Sequence, residues 1–232
     1  MMRNTLERGL EALGLDVSAG DAMCVFADRL AEKNKVMNLT AIEGGEDMAN
    51  LHFLDCACLV KAARFAGKSV VDIGTGAGFP GVPLKILVPD VRLTLLDSLD
   101  KRINFLKEAC EGLGFEDVEF VHARAEEFAA GRREYYDMAV SRAVAALPGL
   151  SELALPLVRV GGEFLAMKSV DSTDEIKSAE RAIKLLGGEI EEILDYTIPN
   201  TDVKHRIVRI KKVSATPAKY PRRFAMIKKS PL

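Results

Sequence analysis

The chain has 232 residues, 48% of them apolar, and 32 basic against 34 acidic side chains give a net charge of −2. That length supports one substantial core, or a core domain with a small extension. Charges interrupt the N-terminal "MMRNTLERGLEALGLDVSAGD" and no apolar run approaches a membrane span, which argues against a signal peptide or an anchor. A soluble cytoplasmic protein is expected, read as a monomer.

Residues 1–66 read as a helical extension. Leu6, Leu10 and Leu13 follow the i, i+4, i+7 spacing; Val25, Phe26 and Leu30 follow the cap candidates Ser18 and Asp21; Leu51, Leu54 and Cys58 follow Asp47 or Asn50. The intervening "NKVMNLTAIEGGED" is polar and turn-rich, with Asn34, Asn38 and Thr40 suited to hydrogen-bond the backbone. The four cysteines, Cys24, Cys56, Cys58 and Cys110, sit in apolar helical contexts without C-x-x-C spacing and read as structural thiols. His52, His122 and His205 are too scattered to propose a metal site.

From Lys68 short apolar runs alternate with amphipathic segments, the pattern of βαβ units and a parallel sheet. Strands are expected at Ser69–Ile73, Arg92–Asp97, Val118–His122, Met138–Arg142 and Gly162–Lys168. Helices are expected near Val82–Leu87, Lys101–Leu113, Ala125–Ala129, Ala146–Val158 and Thr173–Leu186. After them "EIEEILDYTI", a turn at Pro199–Asp202 and "HRIVRIKKV" read as two antiparallel strands. An α/β, Rossmann-like sheet of seven strands with the last antiparallel, preceded by a helical extension, resembles the class I methyltransferases that use S-adenosylmethionine; a dinucleotide fold is expected to stay parallel. The domain would span residues 67–213.

The loop in "SVVDIGTGAGFPGVPLKIL" admits two ligands. Gly76, Gly78 and Gly81 satisfy G-x-G-x-x-G, with Asp97 about 20 residues on, as a nicotinamide dinucleotide site requires. Counted from Asp72 the same letters read D-x-G-x-G-x-G. Asp72 sits where the first strand emerges at the carboxyl edge of the sheet, and the glycines let backbone approach a ligand closely. A pyrophosphate needs the helix N-terminus bare, yet Phe79 and Pro80 occupy it and the Asp72 carboxylate would repel phosphate. That carboxylate suits the ammonium of a methionyl group, directly or through water. Asp97 would accept from both ribose hydroxyls, or cap the next helix. Ala125 backbone and the Glu126 side chain lie at the height of an adenine, with Glu126 equally readable as a first-turn helix acid. Arg142 stands at the same sheet edge on the fourth strand. No Asn or Asp followed by Pro-Pro-aromatic and no cysteine nucleophile is found there.

Residues 214–232 form a basic tail. From Val203 to the end there are ten Lys or Arg and no acid, leaving 22 basic against 34 acidic groups in the rest of the chain. A near-neutral total conceals a polyanion-seeking end.

Together, "NKVMNLTAI", "HFLDC", "VVDIGTGAGFPGVPLKI", "LLDSLDKRINFL", "HARAEEF", "VSRAVA" and "GGEFLAMKS" resemble the bacterial small-subunit (16S) ribosomal RNA guanine-N7 methyltransferases, also called glucose-inhibited division protein B, over nearly the whole chain. The resemblance implies methyl transfer from S-adenosylmethionine to guanine N7 in 16S ribosomal RNA of the small ribosomal subunit, with cofactor contacts at Gly74, Phe79, Ala125, Glu126 and Arg142. N7 carries a lone pair and loses no proton, so positioning without a general base is expected. Arg142 would meet the cofactor carboxylate or the guanine O6. Lys168 would meet RNA phosphate or cap its strand, and Tyr220, Arg222 and Arg223 would supply stacking and backbone contacts. The competing readings are a nicotinamide-dependent oxidoreductase and a non-catalytic RNA-binding assembly factor.

Overall fold

In the computed structural model, which describes residues 1–42, 44–142 and 144–232, a seven-stranded sheet carries helices on both faces. The strands are β1 (Ser69–Ile73), β2 (Arg92–Asp97), β3 (Val118–His122), β4 (Tyr136–Arg142), β5 (Val158–Ser169), β6 (Gly188–Thr197) and β7 (Lys204–Lys212). They lie in the order β3-β2-β1-β4-β5-β7-β6. Neighbours from β3 through β5 pair in parallel, and β7 inserts antiparallel between β5 and β6. The closing hairpin thus has the antiparallel pairing read from the sequence, with Ile198 and Val203 joined by a backbone hydrogen bond across the turn.

Strand alternation assigns each face its own core. Val70, Leu93, Leu95, Met138, Val140, Leu165 and Met167 face one way; Val71, Leu96, Ala139, Phe164 and Ala166 face the other. The first face is covered by the N-terminal helices α1 (Met2–Ala12) and α2 (Ala19–Met37), by α5 (Gly81–Leu87) and by α6 (Asp100–Glu111). Leu6, Phe26 and Phe53 belong to one apolar cluster with Val70 and Leu165, so the extension and the sheet share a core. The second face carries α8 (Leu147–Ala154), α9 (Thr173–Leu185) and the tail residue Tyr220, with α7 (Ala125–Gly131) beside them.

Two local features differ from the expected pattern. α8 ends at Ala154 instead of running to residue 158, since Pro156 cannot continue a helix, and Val158 already begins β5. In the extension, the short α3 (Gly45–Met48) runs through a π-helical stretch at Ala49–Leu54 into α4 (Asp55–Ala62). Such widened turns are frequent where side chains or carbonyls must be re-aimed.

The C-terminal segment is docked. Arg133 donates to the carbonyls of Thr216, Pro217 and Tyr220. Lys212, wholly buried, donates to Leu155 O and Thr216 Oγ1. The last helix, α10 (Phe224–Lys229), buries Ile227. Among the described residues, no helix is long and apolar enough to cross a membrane.

Candidate active site at the carboxyl edge

The ends of β1, β2 and β4 open into a cleft of about 440 Å³ lined by Gly74, Thr75, Gly76, Phe79, Asp97, Ser98, Arg102, Arg142 and Val144, with Leu39, Thr40 and His52 from the extension. A larger cleft, of about 550 Å³, lies between α2 and α6 at Arg29, Lys33, Phe105 and Glu108, away from this edge.

The glycine loop has two sides. Gly76 adopts a positive φ of 59°, and a Cβ there would meet nothing nearer than Gly74 O at 3.9 Å, so a ligand has free approach to the backbone. Gly78 and Gly81 face inward: a Cβ on Gly78 would strike Leu106 and Val82 at 2.8 Å, and one on Gly81 would strike Leu95 at 2.4 Å. Asp72 also lies behind the loop, fully buried, with Oδ2 accepting from Thr75 Oγ1 at 2.7 Å and Gly81 N at 2.9 Å. Burial pushes its carboxyl up to about 7, against the opposing pull of those two hydrogen bonds. Oδ1 is buried without a partner. Asp72 therefore braces the loop from behind and is not among the residues that line the cleft.

Asp97 does line the cleft. Its Oδ2 accepts from Gly76 N at 3.0 Å and Arg102 Nη1 at 3.3 Å, and Oδ1 from Leu99 N at 2.9 Å. A carboxylate offers about four acceptor sites, so one is left for a ligand hydroxyl. Asp97 faces the cleft and fixes the turn before α6 by accepting from Leu99 N, but it is not the helix cap expected from the sequence, because Leu99 holds the N-cap position. Ala125 and Glu126 open α7 one strand further out, where Ala123 N donates to Asp97 O at 3.1 Å. They stand beside the Asp97 end but outside the walls of this cleft.

At the β4 end, Arg142 is enclosed by the extension. Nη1 donates to Leu51 O at 2.9 Å and Asp55 Oδ2 at 3.0 Å, and Nη2 donates to His52 Nδ1 at 2.7 Å. The guanidinium lies 5.1 Å from the Phe79 ring centroid, and His52 stacks on that ring at 4.4 Å. Of the five N–H groups of an arginine, two remain uncommitted. The π-helical stretch presents Leu51 O and the His52 ring together, and Asp55 follows one turn on.

Asp55 is fully buried and serves a second set of partners: Oδ1 accepts from Tyr196 OH on β6 at 2.6 Å and pairs with His205 Nδ1 on β7 at 2.9 Å. Burial alone would raise its carboxyl, yet the His205 hydrogen bond, the Arg142 charge and Tyr196 hold it below the usual range. The hydrogen bond to Asp55 raises His205, while burial raises Tyr196. His52 falls to about 3, through burial first and the adjacent Arg142 charge second, and is neutral at physiological pH.

The expected RNA-contacting residues separate in the same way. Lys168 Nζ, 9% exposed, donates to Ala145 O at 2.6 Å and pairs with Glu175 at 2.7 Å, pinning the segment after β4. Tyr220 is 6% exposed within the second core, and Arg222 embraces the buried Glu152 through Nε and Nη2. Their side chains serve the fold. Arg223 is exposed, as are Lys228 and Lys229; nearby, Arg124 covers the exposed Phe224 ring at 5.1 Å. Among the described residues no cluster of three or more His, Cys, Asp or Glu is arranged to hold a metal.

The family described as rRNA small subunit methyltransferase G matches residues 20–203. Relatives named "Ribosomal RNA small subunit methyltransferase G" are 44% identical in Acetivibrio thermocellus, over all of this chain and 97% of the relative. The Clostridium botulinum relative is 50% identical over 89% of this chain and 88% of its own length. The chain belongs to this family. Family membership makes it a small-subunit ribosomal RNA methyltransferase, and the oxidoreductase reading of the glycine loop falls away. Solved structures agree on the fold: TrmN from Thermus thermophilus superimposes with a TM-score of 0.54 at 21% identity, covering 68% of this chain and 48% of that one. TYW2 from M. jannaschii in complex with AdoMet gives 0.56 at 11% identity, over 68% and 75% of the two chains.

The residues the sequence reading missed are Thr40, His52 and Asp55. Their signal was His52 and Asp55 three apart on one helical face, within the quoted "HFLDC".

Proposed function

We propose that the protein methylates guanine N7 in 16S ribosomal RNA using S-adenosylmethionine, acting in the cytoplasm as a monomer. The single observation that carries the reading is the pairing, in one cleft, of an accessible glycine loop and Asp97 with an Arg142 that three hydrogen bonds hold in place. The residues fit the cofactor: Gly76 leaves room for a nucleoside, and Asp97 keeps an acceptor for a ribose hydroxyl. When bound, the cofactor supplies a sulfonium-activated methyl group.

The chain's own residues then hold and orient. Phe79 packs against both His52 and Arg142 and gives the cleft an apolar wall. Arg142 offers its two remaining N–H groups to a carboxylate or a carbonyl. Ala125 and Glu126 flank the Asp97 end, where adenine would lie. N7 needs no deprotonation, and His52, neutral with Nδ1 already accepting from Arg142, is not asked to act as a base. Orientation of this kind is worth up to about 7–11 kcal/mol for a well-aligned reaction. RNA backbone contacts fall to Arg223, Lys228 and Lys229, which are exposed, with Lys168, Tyr220 and Arg222 acting indirectly by fixing the surface.

Labelled methyl transfer to protein-free 16S RNA and to isolated small subunits, with nucleoside mass spectrometry, tests the reading. The expected product is 7-methylguanosine. Methylation at another base or atom, or RNA bound but unmodified, refutes it. RNA affinity should also fall steeply with added salt, whereas an affinity flat from low to moderate salt removes the basic tail from the interface.

A further inference from the structure

The hydrogen bonds around His52 have a direction. Arg142 carries only donors, so His52 Nδ1, at 2.7 Å from Nη2, must accept. A neutral imidazole that accepts at Nδ1 carries its proton on Nε2, and Nε2 lies 2.7 Å from Thr40 Oγ1. Thr40 Oγ1 therefore accepts from His52, and it accepts again from Ile42 N at 3.0 Å. Both lone pairs of the hydroxyl are used. Its proton has no acceptor among the described residues, and Thr40 lines the cleft. The position is fixed as well as the polarity, for the Asn34 side chain donates to Thr40 O and accepts from Thr40 N, both at 2.9 Å.

Strand order places this donor. A nucleoside with its ribose at Asp97 on β2 lies along the glycine loop of β1, and the next space across the sheet is over β4, walled by Arg142, His52, Thr40 and Val144. A second reactant enters there. Guanine presents two acceptors on its major-groove edge, N7 and O6, whereas adenine presents N7 beside an amino donor. A hydroxyl that can only donate toward the base accepts the first pattern and is opposed by the second.

We propose that Thr40 is the residue that selects guanine, its hydroxyl donating to O6 of the target base. The inference rests on the guanine-N7 reading above. Arg142 holds His52 and His52 holds Thr40, so Arg142 is a positioning residue for this contact.

The test uses short substrate RNAs bearing guanine, or 2-aminopurine, at the target position; 2-aminopurine keeps N7 and lacks O6. With guanine, Thr40→Val should lower kcat/KM about ten- to a hundredfold, as loss of one directed hydrogen bond to a buried acceptor does, while Thr40→Ser stays within about threefold. With 2-aminopurine the wild type should lose a similar factor, and Thr40→Val should add little to it. Losses that simply multiply overturn the proposal, as does failure of Thr40→Ser to restore guanine activity. Two readouts stand apart from turnover. Nitrogen NMR of the His52 ring should show Nδ1 bare and Nε2 protonated, and the reverse tautomer overturns the relay. S-adenosylhomocysteine affinity should be unchanged by Thr40→Val; a loss reassigns the hydroxyl to the cofactor and overturns the proposal. A wild-type enzyme that makes no 7-methylguanosine sinks the function reading too, whereas guanine methylation without O6 dependence sinks only the role of Thr40.

Discussion

Replacing Asp55 tests how the extension, the cleft and the closing hairpin are bound together. Its carboxylate is wholly buried and answers Arg142, Tyr196 and His205 with two oxygens. Asp55→Ala leaves Arg142, whose side chain is 16% exposed, with a charge countered only by a carbonyl and a neutral imidazole. Breaking a buried pair in this way costs about 3–5 kcal/mol. At roughly 2–4 °C per kcal/mol for a chain of this size, Tm should fall by roughly 10 °C. Asp55→Asn should cost less, about 1–3 kcal/mol, because the amide oxygen can face Arg142 while its NH₂ donates to His205 or Tyr196, each able to switch to acceptor.

Urea denaturation across pH separates charge from packing. His205 is raised by Asp55, so its contribution is complete below the ordinary imidazole pKa and is lost as pH rises through the raised value. Asp55 is depressed, so its contribution is complete above the ordinary carboxyl pKa and is lost as pH falls through the lowered one. Both variants should lose the His205-dependent decline. An Asp55→Ala protein within about 1 kcal/mol of wild type, below the usual cost of an unpaired buried charge, refutes the account. So does an Asp55→Asn protein that keeps the decline.

Three further outcomes are expected. His52 is held neutral, its pKa depressed to about 3, so wild-type stability should fall by up to about 1.4 kcal/mol per pH unit on acidification below its ordinary value, and His52→Gln should remove that slope in urea titrations. Arg222→Ala removes the guanidinium that pairs with the buried Glu152, leaving it only the residue-222 backbone N–H, and should cost about 3–5 kcal/mol, with the tail cut by trypsin at Lys219 and Arg223 faster than in wild type. Gly76→Ala should weaken S-adenosylhomocysteine binding at a stability cost of about 1–2 kcal/mol for the left-handed backbone, whereas Gly81→Ala, whose Cβ meets Leu95 and Asp72, should impair folding itself; calorimetry and thermal melts distinguish them.

Much of the scaffold was legible because its signals are local. β1, β2 and β3 begin and end where apolar alternation and flanking turns place them, and the hairpin declared its antiparallel sense through its short connection. The glycine loop was legible as a ligand loop, though not which glycines face the ligand: that depends on Leu95, Leu106 and Val82 packing from behind. The Arg142 enclosure was illegible because its partners are distant, 87 to 91 positions away for Asp55, His52 and Leu51, and 141 to 150 between Asp55 and the hairpin. The tail was read by counting charge. A lone acid, Glu152, inside the apolar run "LPGLSELALPL" was the overlooked sign that one arginine had an internal partner.

The shared carboxylate of Asp55 also sets an order of assembly. Arg142 and the glycine loop leave the ribosome before Tyr196 and His205 exist to engage Oδ1. A nascent chain stopped after α9 has every strand that frames the cleft, yet its Asp55 is answered from one side only. The hydrogen-bonded frame behind Arg142 is completed last, by residues that do not line the cleft and that are among the last of the sheet to be translated.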